Sequence, residues 1–217
     1  MSATAMDNVR SATPGQVRRS PSVPAHWPIR RHVAAAETTP AGPLHSVEVT
    51  VPAKTNLTLH VGPAHEEWGG RHALDTIYCA FGVNDVVPAT AKTPGSGFSL
   101  ELSGEHLGDL ASSGSDMRRN HAVLALFAIA RAAGREPDVA LHVDKHIPVG
   151  AGLGGGSADA AATLLAVNTL WGLHWPIERL RDIAATLGAD MPFCLEGGYA
   201  HGTGFGERII PLEDDSS

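Results

Sequence analysis

Between Ile147 and Asp159 the chain reads I-P-V-G-A-G-L-G-G-G-S-A-D, with Gly150, Gly152, Gly154, Gly155 and Gly156 inside seven residues. Such a run takes positive φ angles and lets another group come close to its backbone. It stops abruptly. Ser157 is a good helix cap, and the stretch after it, A-D-A-A-A-T-L-L-A-V-N-T-L-W, reads as helix. A helix start leaves backbone N–H groups unpaired and carries partial positive charge. A glycine loop feeding such a start is a seat for phosphate. The plainer reading is a flexible surface turn, but turns seldom need five glycines between a hydrophobic strand and an alanine-rich helix.

Two common phosphate loops do not fit. Gly150, Gly152 and Gly155 match G-x-G-x-x-G, but the dinucleotide fold needs a second strand ending in an acid after the helix. Here a second helical pattern follows, Pro176 to Leu187. Walker A fails because Gly156 stands where G-K-[ST] needs its lysine.

The chain has 217 residues and is 43% hydrophobic, enough for one domain with a real core. Its net charge of −7 argues against a nucleic-acid partner, and it has no apolar run long enough for a membrane. With only Cys79 and Cys194, a disulfide framework or cysteine zinc site is excluded, which fits a reducing cytoplasm. The 12 histidines show no metal-ligand spacing, so no metal-ligating residue is expected. Oligomeric state is not legible.

Residues 1–45 are rich in Ala, Ser, Pro and Arg, with Asp7 and Glu37 the only acids, and are expected to form a disordered tail. Such a composition also describes an organelle transit peptide; a plain bacterial extension, or a start codon set too far upstream, is the preferred account. From Ser46, V-E-V-T-V alternates as a strand, Pro52 interrupts it, and Asn56 to Val61 resumes as a second strand. A polar loop, Gly62 to Arg71, precedes a strand at Thr76 to Phe81. Asp85 to Val87 and Phe98 to Leu102 read as a further strand pair joined by T-P-G-S-G. A helix is expected from near Asp116 to Gly134, and a strand from Asp138 to Val143 leads into the glycine loop. Trp171 falls on the core stripe of the helix after the loop. Pro176 opens the next helix at its first position, with Ile177, Leu180, Ile183, Ala184 and Leu187 inward. Two short strands at Tyr199 to His201 and Ile209 to Ile210 close the pattern.

Two side chains outside the loop invite chemistry. Asp190 lies on a bend between Gly188 and Pro192; it either binds nearby backbone N–H groups or takes a proton from a substrate hydroxyl. Lys54 sits at the Pro52 break; it is either solvated or paired with a buried acid that it keeps ionised.

Four motifs occur together: P-A-K-T-N-L-T-L at Pro52 to Leu59, the glycine loop, L-G-A-D-M-P at Leu187 to Pro192, and G-T-G-F-G-E at Gly202 to Glu207. In order and spacing they resemble the GHMP kinases, and among these the branch that phosphorylates a cytidine diphosphate-linked methylerythritol in non-mevalonate isoprenoid synthesis. The resemblance spans residues 46 to 212. It implies an α+β fold of the ribosomal protein S5 domain 2-like kind, a mixed sheet with helices packed on one side. It implies residues 46–217 as the ATP-binding N-terminal domain, with the family's C-terminal domain absent. It also implies transfer of the γ-phosphoryl of ATP, with Mg²⁺, to the substrate's 2-hydroxyl. By the same resemblance Lys54 and Asp190 are the catalytic pair, and Asn56, His72 and Asp190 meet the substrate. Pro148, Val149, Gly150, Ala151, Gly152, Leu153, Gly154, Gly155, Gly156, Ser157 and Ala158 hold the nucleotide. One departure is Arg71, where the family has a tyrosine flanking the substrate's nucleotide; arginine can stack on a base or pair with a diphosphate. The alternatives are another small-molecule kinase of the family, or a truncated nucleotide-binding remnant without catalysis.

Overall fold

The computed structural model describes residues 29–30, 44–105, 107 and 117–212. The elements run β1 (Ile29–Arg30), β2 (Ser46–His65), β3 (Arg71–Ala91), β4 (Ser99–Gly104), α1 (His121–Ala133), β5 (Val139–Lys145), α2 (Gly155–Leu170), α3 (Ile177–Leu187), α4 (Met191–Glu196), β6 (Tyr199–Thr203) and β7 (Arg208–Pro211). They build one mixed sheet in the order β1-β2-β3-β5-β4, with β6 on β3 and β7 on β6. Among the described residues only β4 and β5 pair in parallel, and α1 lies in the crossover between them.

Alternation explains the layering. Val47, Val49, Val51, Val87, Ala89, Val139, Leu141 and Val143 are buried on one face, against α1, α2 and part of α3 and α4. Residues between them, such as Glu48, Thr50 and His142, stay partly exposed on the other face. Helices therefore cover one side of the sheet, as expected. α2 is the centre of the core, with Ala158 to Asn168 all buried. A helix buried all round needs small side chains and shows no amphipathic stripe, which its alanine run supplies. α3 is amphipathic and buries Leu180 and Ala184, with Ile177, Ile183 and Leu187 partly covered. Trp171 packs against the same core.

Several sequence expectations need correction. The strands placed on either side of Pro52 are one strand, β2; Pro52, lacking an N–H, sits at a β-bulge between Pro52 and Ala53. Half of the expected polar loop is strand, because β2 runs on to His65 before a 3-10 turn at Glu66–Trp68 and β3 begins at Arg71. Thr76 to Phe81 and Asp85 to Val87 are likewise one strand, β3, the long antiparallel partner of β2. Phe98 to Leu102 does not pair with Asp85 to Val87 but lies parallel to β5. α1 starts at His121, capped by the Asn120 side chain on Ala122 N at 2.9 Å; Asp116, the expected start, lies outside the described residues. Pro176 caps α3 rather than opening it, and α4 was not foreseen. Within the segment expected as a tail, Ile29–Arg30 pairs antiparallel with Val49 and Glu48, and Leu44 packs on the core. Residues 1–28 and 31–43 lie outside the described residues.

α1 offers a test of the layering. Leu126 is fully buried, whereas Leu124, two positions away, is 37% exposed. Leu126→Ala should lower unfolding free energy by about 2–5 kcal/mol in urea titrations, and Leu124→Ala by less than about 1 kcal/mol. Equal losses would mean that α1 does not bury the face assigned to it.

Candidate active site

The glycine loop connects β5 to α2, and the helix begins earlier than its sequence suggests. Gly154 is the N-cap, at φ +70°, where a β-carbon would be strained. Ser157 is therefore in the first turn and is not the cap. Ala158 N bonds Gly154 O at 2.8 Å, so the helix itself uses that donor, and Ala158 is fully buried. The N–H groups of Gly155, Gly156 and Ser157 precede this first helical bond and point out of the helix start. Pro148, Val149, Gly150 and Gly152 to Gly156 line a cleft of about 260 Å³ with Arg119, Asn120, His121, Lys145 and Asp159. Ala151 and Ser157 do not line it.

Below the loop lies a buried charge cluster that the motifs do not reveal. Lys145 Nζ donates to Asp85 Oδ2 and, at 2.8 Å, to Asp159 Oδ2. Asp85 Oδ1 also accepts from His146 N at 2.6 Å and Ile147 N at 2.8 Å, where the chain leaves β5 for the loop. Asp159 Oδ1 is buried without a partner. Burial pushes the Asp159 carboxyl up to about 7; Lys145 opposes the rise and the charge of Asp85 adds to it. Burial alone would lower the Lys145 ammonium, but its two carboxylates outweigh it and hold it above its usual value. The signal was present in the sequence. Val139, Leu141, Val143 and Lys145 share one face of an alternating strand, so a lysine stood in line with the core.

The second half of the site is the pair from Lys54 and Asp190. Lys54 Nζ lies 2.8 Å from Asp190 Oδ2 and donates to Asn56 Oδ1 at 3.0 Å. Asn56 Nδ2 in turn donates to Thr76 Oγ1 at 2.7 Å, and Thr76 Oγ1 to Thr58 O at 2.6 Å. The bulge at Pro52/Ala53 breaks the alternation of β2, so Ala53 and Lys54 are both buried. Asp190 precedes α4 but does not cap it with its side chain. Of its two sequence readings, binding to nearby N–H groups is thus not the one seen; its oxygens meet Lys54 Nζ and the Tyr78 hydroxyl. The two halves touch. Lys54 N donates to Leu153 O at 2.9 Å, and a β-carbon on Gly154 would lie 2.7 Å from Lys54 Cγ.

His72 stands apart, at the start of β3, with Nδ1 2.9 Å from Gly62 O. Beside it the Arg71 guanidinium lies 4.4 Å over the Phe205 ring and donates to Ala185 O at 3.5 Å.

Residues 120–198 match the family model described as the GHMP kinases N terminal domain. The fold is that of a GHMP kinase N-terminal domain. Over 172 residues it is 76% identical to the 4-diphosphocytidyl-2-C-methyl-D-erythritol kinase of Bifidobacterium adolescentis, covering 79% of this chain and 56% of that protein. The kinase of the same name from Mycolicibacterium gilvum is 45% identical over 178 residues, 82% of this chain and 52% of that one. A solved 4-(cytidine 5'-diphospho)-2C-methyl-D-erythritol kinase superposes with TM-score 0.58 at 37% identity, over 76% of this chain and 55% of its own. A homoserine kinase from Cytophaga hutchinsonii, TM-score 0.59 at 20% identity over 81% and 54%, shares the GHMP fold. The chain thus spans about half the length of the curated relatives it matches. Among the described residues, no helix is long and apolar enough to cross a membrane.

The charge cluster under the GHMP loop sets a pH dependence. Because the Asp159 carboxyl is raised in the folded chain, the native state holds a proton that the unfolded state has lost between pH 3.8 and about 7. Stability contributed by that proton is present below this window and declines as pH rises through it. Asp159→Asn removes the titration. Urea titrations from pH 4 to 8 should show the substituted chain gaining stability relative to the unsubstituted one as pH rises to about 7. A constant difference across that window would refute the buried acid.

Proposed function

We propose that residues 46–217 are the nucleotide-binding domain of a cytoplasmic small-molecule kinase. Its reaction moves the γ-phosphoryl of ATP to the 2-hydroxyl of 4-diphosphocytidyl-2-C-methyl-D-erythritol, in isoprenoid synthesis. One observation carries the reading: a carboxylate and an ammonium 2.8 Å apart, joined through Lys54 N and Leu153 O to the loop that opens α2. The name borne by the 76% identical relative supports the choice of acceptor.

The chemistry follows from the parts. The free N–H groups of Gly155, Gly156 and Ser157, with the positive end of α2, would hold the nucleotide's phosphates. Asp190 would accept the proton of the acceptor hydroxyl as its oxygen attacks phosphorus. Lys54 would hold that carboxylate in place and offset charge on the attacked group. Asn56 holds the Lys54 ammonium in place. His72, whose Nδ1 is engaged by Gly62 O, would offer Nε2 to the cytidine. Among the described residues no group of three or more His, Cys, Asp or Glu could hold a metal. Mg²⁺ in kinases is bound through one or two carboxylates, the nucleotide's phosphates and water, and no step is assigned to it. Transfer of this kind is mostly positioning and electrostatics.

The decisive assay incubates the chain, alone and joined to the second half of the Bifidobacterium adolescentis relative, with ATP, Mg²⁺ and the diphosphocytidyl alcohol. Formation of its 2-phosphate, seen by ³¹P NMR, is the expected result for the joined form. Phosphorylation of homoserine or mevalonate instead would point to another kinase of the family. Nucleotide binding with no transfer in either form would leave a binding remnant.

Two sets of variants test the parts. Gly154→Val and Gly155→Val should weaken ATP binding in calorimetry while circular dichroism is retained; normal affinity in both would remove the loop from the phosphate site. Asp190→Asn should lower transfer by about 10²–10⁴-fold while sparing ATP affinity. Lys54→Met should also slow turnover, and the double variant should be little worse than the poorer single one. Full turnover by Asp190→Asn would exclude it as the base, and losses that simply multiply would mean that the two act separately.

A further inference from the structure

Tyr78 has no place among the four motifs, yet the structure makes room for it at the reaction centre. It lies on β3 opposite Ala200 of β6 and is fully buried. Its ring stacks on Phe193 of α4 with centroids 4.7 Å apart and planes at 17°. With Ala200 and Ile209 these rings form a small core distinct from the one around α2. A phenylalanine would fill that core equally well; the hydroxyl is what needs a reason, because a buried one costs stability unless it finds a partner. Its partner is Asp190 Oδ1, at 3.2 Å.

The surroundings are shaped to that ring and oxygen. A β-carbon on Gly202 would stand 2.4 Å from Tyr78 Cε2, and one on Gly206 would stand 2.8 Å from the hydroxyl oxygen. Neither position accepts a side chain while Tyr78 keeps its place. Burial foremost, and then the charge of Asp190, push the phenol well above its usual range. At any working pH it is a hydrogen-bond donor and never a competing base.

We propose that Tyr78 is a positioning residue for phosphoryl transfer: its hydroxyl holds Asp190 Oδ1 while Lys54 holds Oδ2, fixing the carboxylate plane toward the acceptor hydroxyl. The proposal rests on the reading of Asp190 as the base. Donors reach the two oxygens from adjacent strands, Lys54 from β2 and Tyr78 from β3. A carboxylate held at one oxygen can swing about its last torsion; held at both it cannot. The Asp190 side chain is still 33% exposed, which leaves an open edge for the acceptor. Tyr78 thus holds the base in one orientation.

Tyr78→Phe keeps the ring stack and removes only the hydroxyl. In the form that turns over, kcat should fall about ten- to a hundredfold, the usual worth of a hydrogen bond to a charged group, with ATP affinity unchanged. KM for the acceptor alcohol and the melting temperature should stay near wild type, a loss confined to kcat that a merely structural hydroxyl would not cause. Wild-type kcat, alongside an inactive Asp190→Asn, would overturn the positioning role and leave the base reading intact. A fully active Asp190→Asn would instead remove the base reading itself. A second measurement needs no activity. The chain has two tyrosines, Tyr78 and Tyr199, so ¹³Cζ-tyrosine labelling gives two signals. The Tyr78 signal should shift in Asp190→Asn and that of Tyr199 should not; an unmoved Tyr78 signal would show that the hydroxyl does not meet Asp190.

Discussion

The buried ammonium of Lys145 joins three elements that are far apart in sequence. It holds Asp85 of β3 and Asp159 of α2, and Asp85 in turn takes the two N–H groups where β5 turns into the glycine loop. Removing one partner from such a cluster strands a charge in the core, so the arrangement tolerates little displacement. It does so at a cost, since two carboxylates share one ammonium and Asp159 Oδ1 is left without a donor. A neutral, well-packed substitute could be as stable; what the cluster adds is register. The loop's entry, the start of α2 and the middle of β3 are tied to one nitrogen.

That register carries over to the chemistry. A helix start is an anion site only if its N–H groups face a defined place, and a base is useful only within reach of the atom it deprotonates. Here backbone ties the helix start to the charge pair. Lys54 N bonds Leu153 O, and the methylenes of Lys54 run along Gly154, where any side chain would collide. The lysine that pairs with Asp190 is thus also the wall of the phosphate loop. Loop and charge pair are tied at Lys54. Asp190 is held from the opposite side by the short helix α4, whose Phe193 packs on Tyr78.

Features written locally were legible in the sequence. The glycine run, the helix after it, the amphipathic α3 and the alternation of β5 each follow from residue order over a dozen positions, although α2 is buried all round and not along one stripe. What failed was non-local. Pro52 reads as a strand break, but a partner strand of equal length carries β2 through it with a bulge. Phe98 to Leu102 and Asp85 to Val87 look like neighbours along the chain, yet the crossover through α1 places β4 against β5. Lys54 and Asp190 could be named as a pair only through resemblance, because their spacing of more than a hundred residues says nothing about distance. Tyr78 and Asp85 gave no signal of their own; each owes its role to residues from another strand.

The two glycine-rich motifs show why composition alone cannot assign a role. In the loop before α2, glycine is needed for conformation, and Gly154 turns through φ +70° so that the helix can start with its donors free. In Gly202 to Glu207 the demand is double: Gly204 and Gly206 turn through φ +72° and +106°, and room is short as well. Gly202 and Gly206 are small because the Tyr78 ring and hydroxyl occupy the space, and a β-carbon on Gly204 would fall 2.4 Å from the Glu207 carboxylate. That carboxylate accepts from Phe205 N at 2.7 Å and closes the turn between β6 and β7. The second motif therefore packs around Tyr78, which meets Asp190. Both motifs bear on Asp190 at one remove: Gly154 lies against the Lys54 side chain that meets Oδ2, and Gly202 and Gly206 lie against the phenol that meets Oδ1.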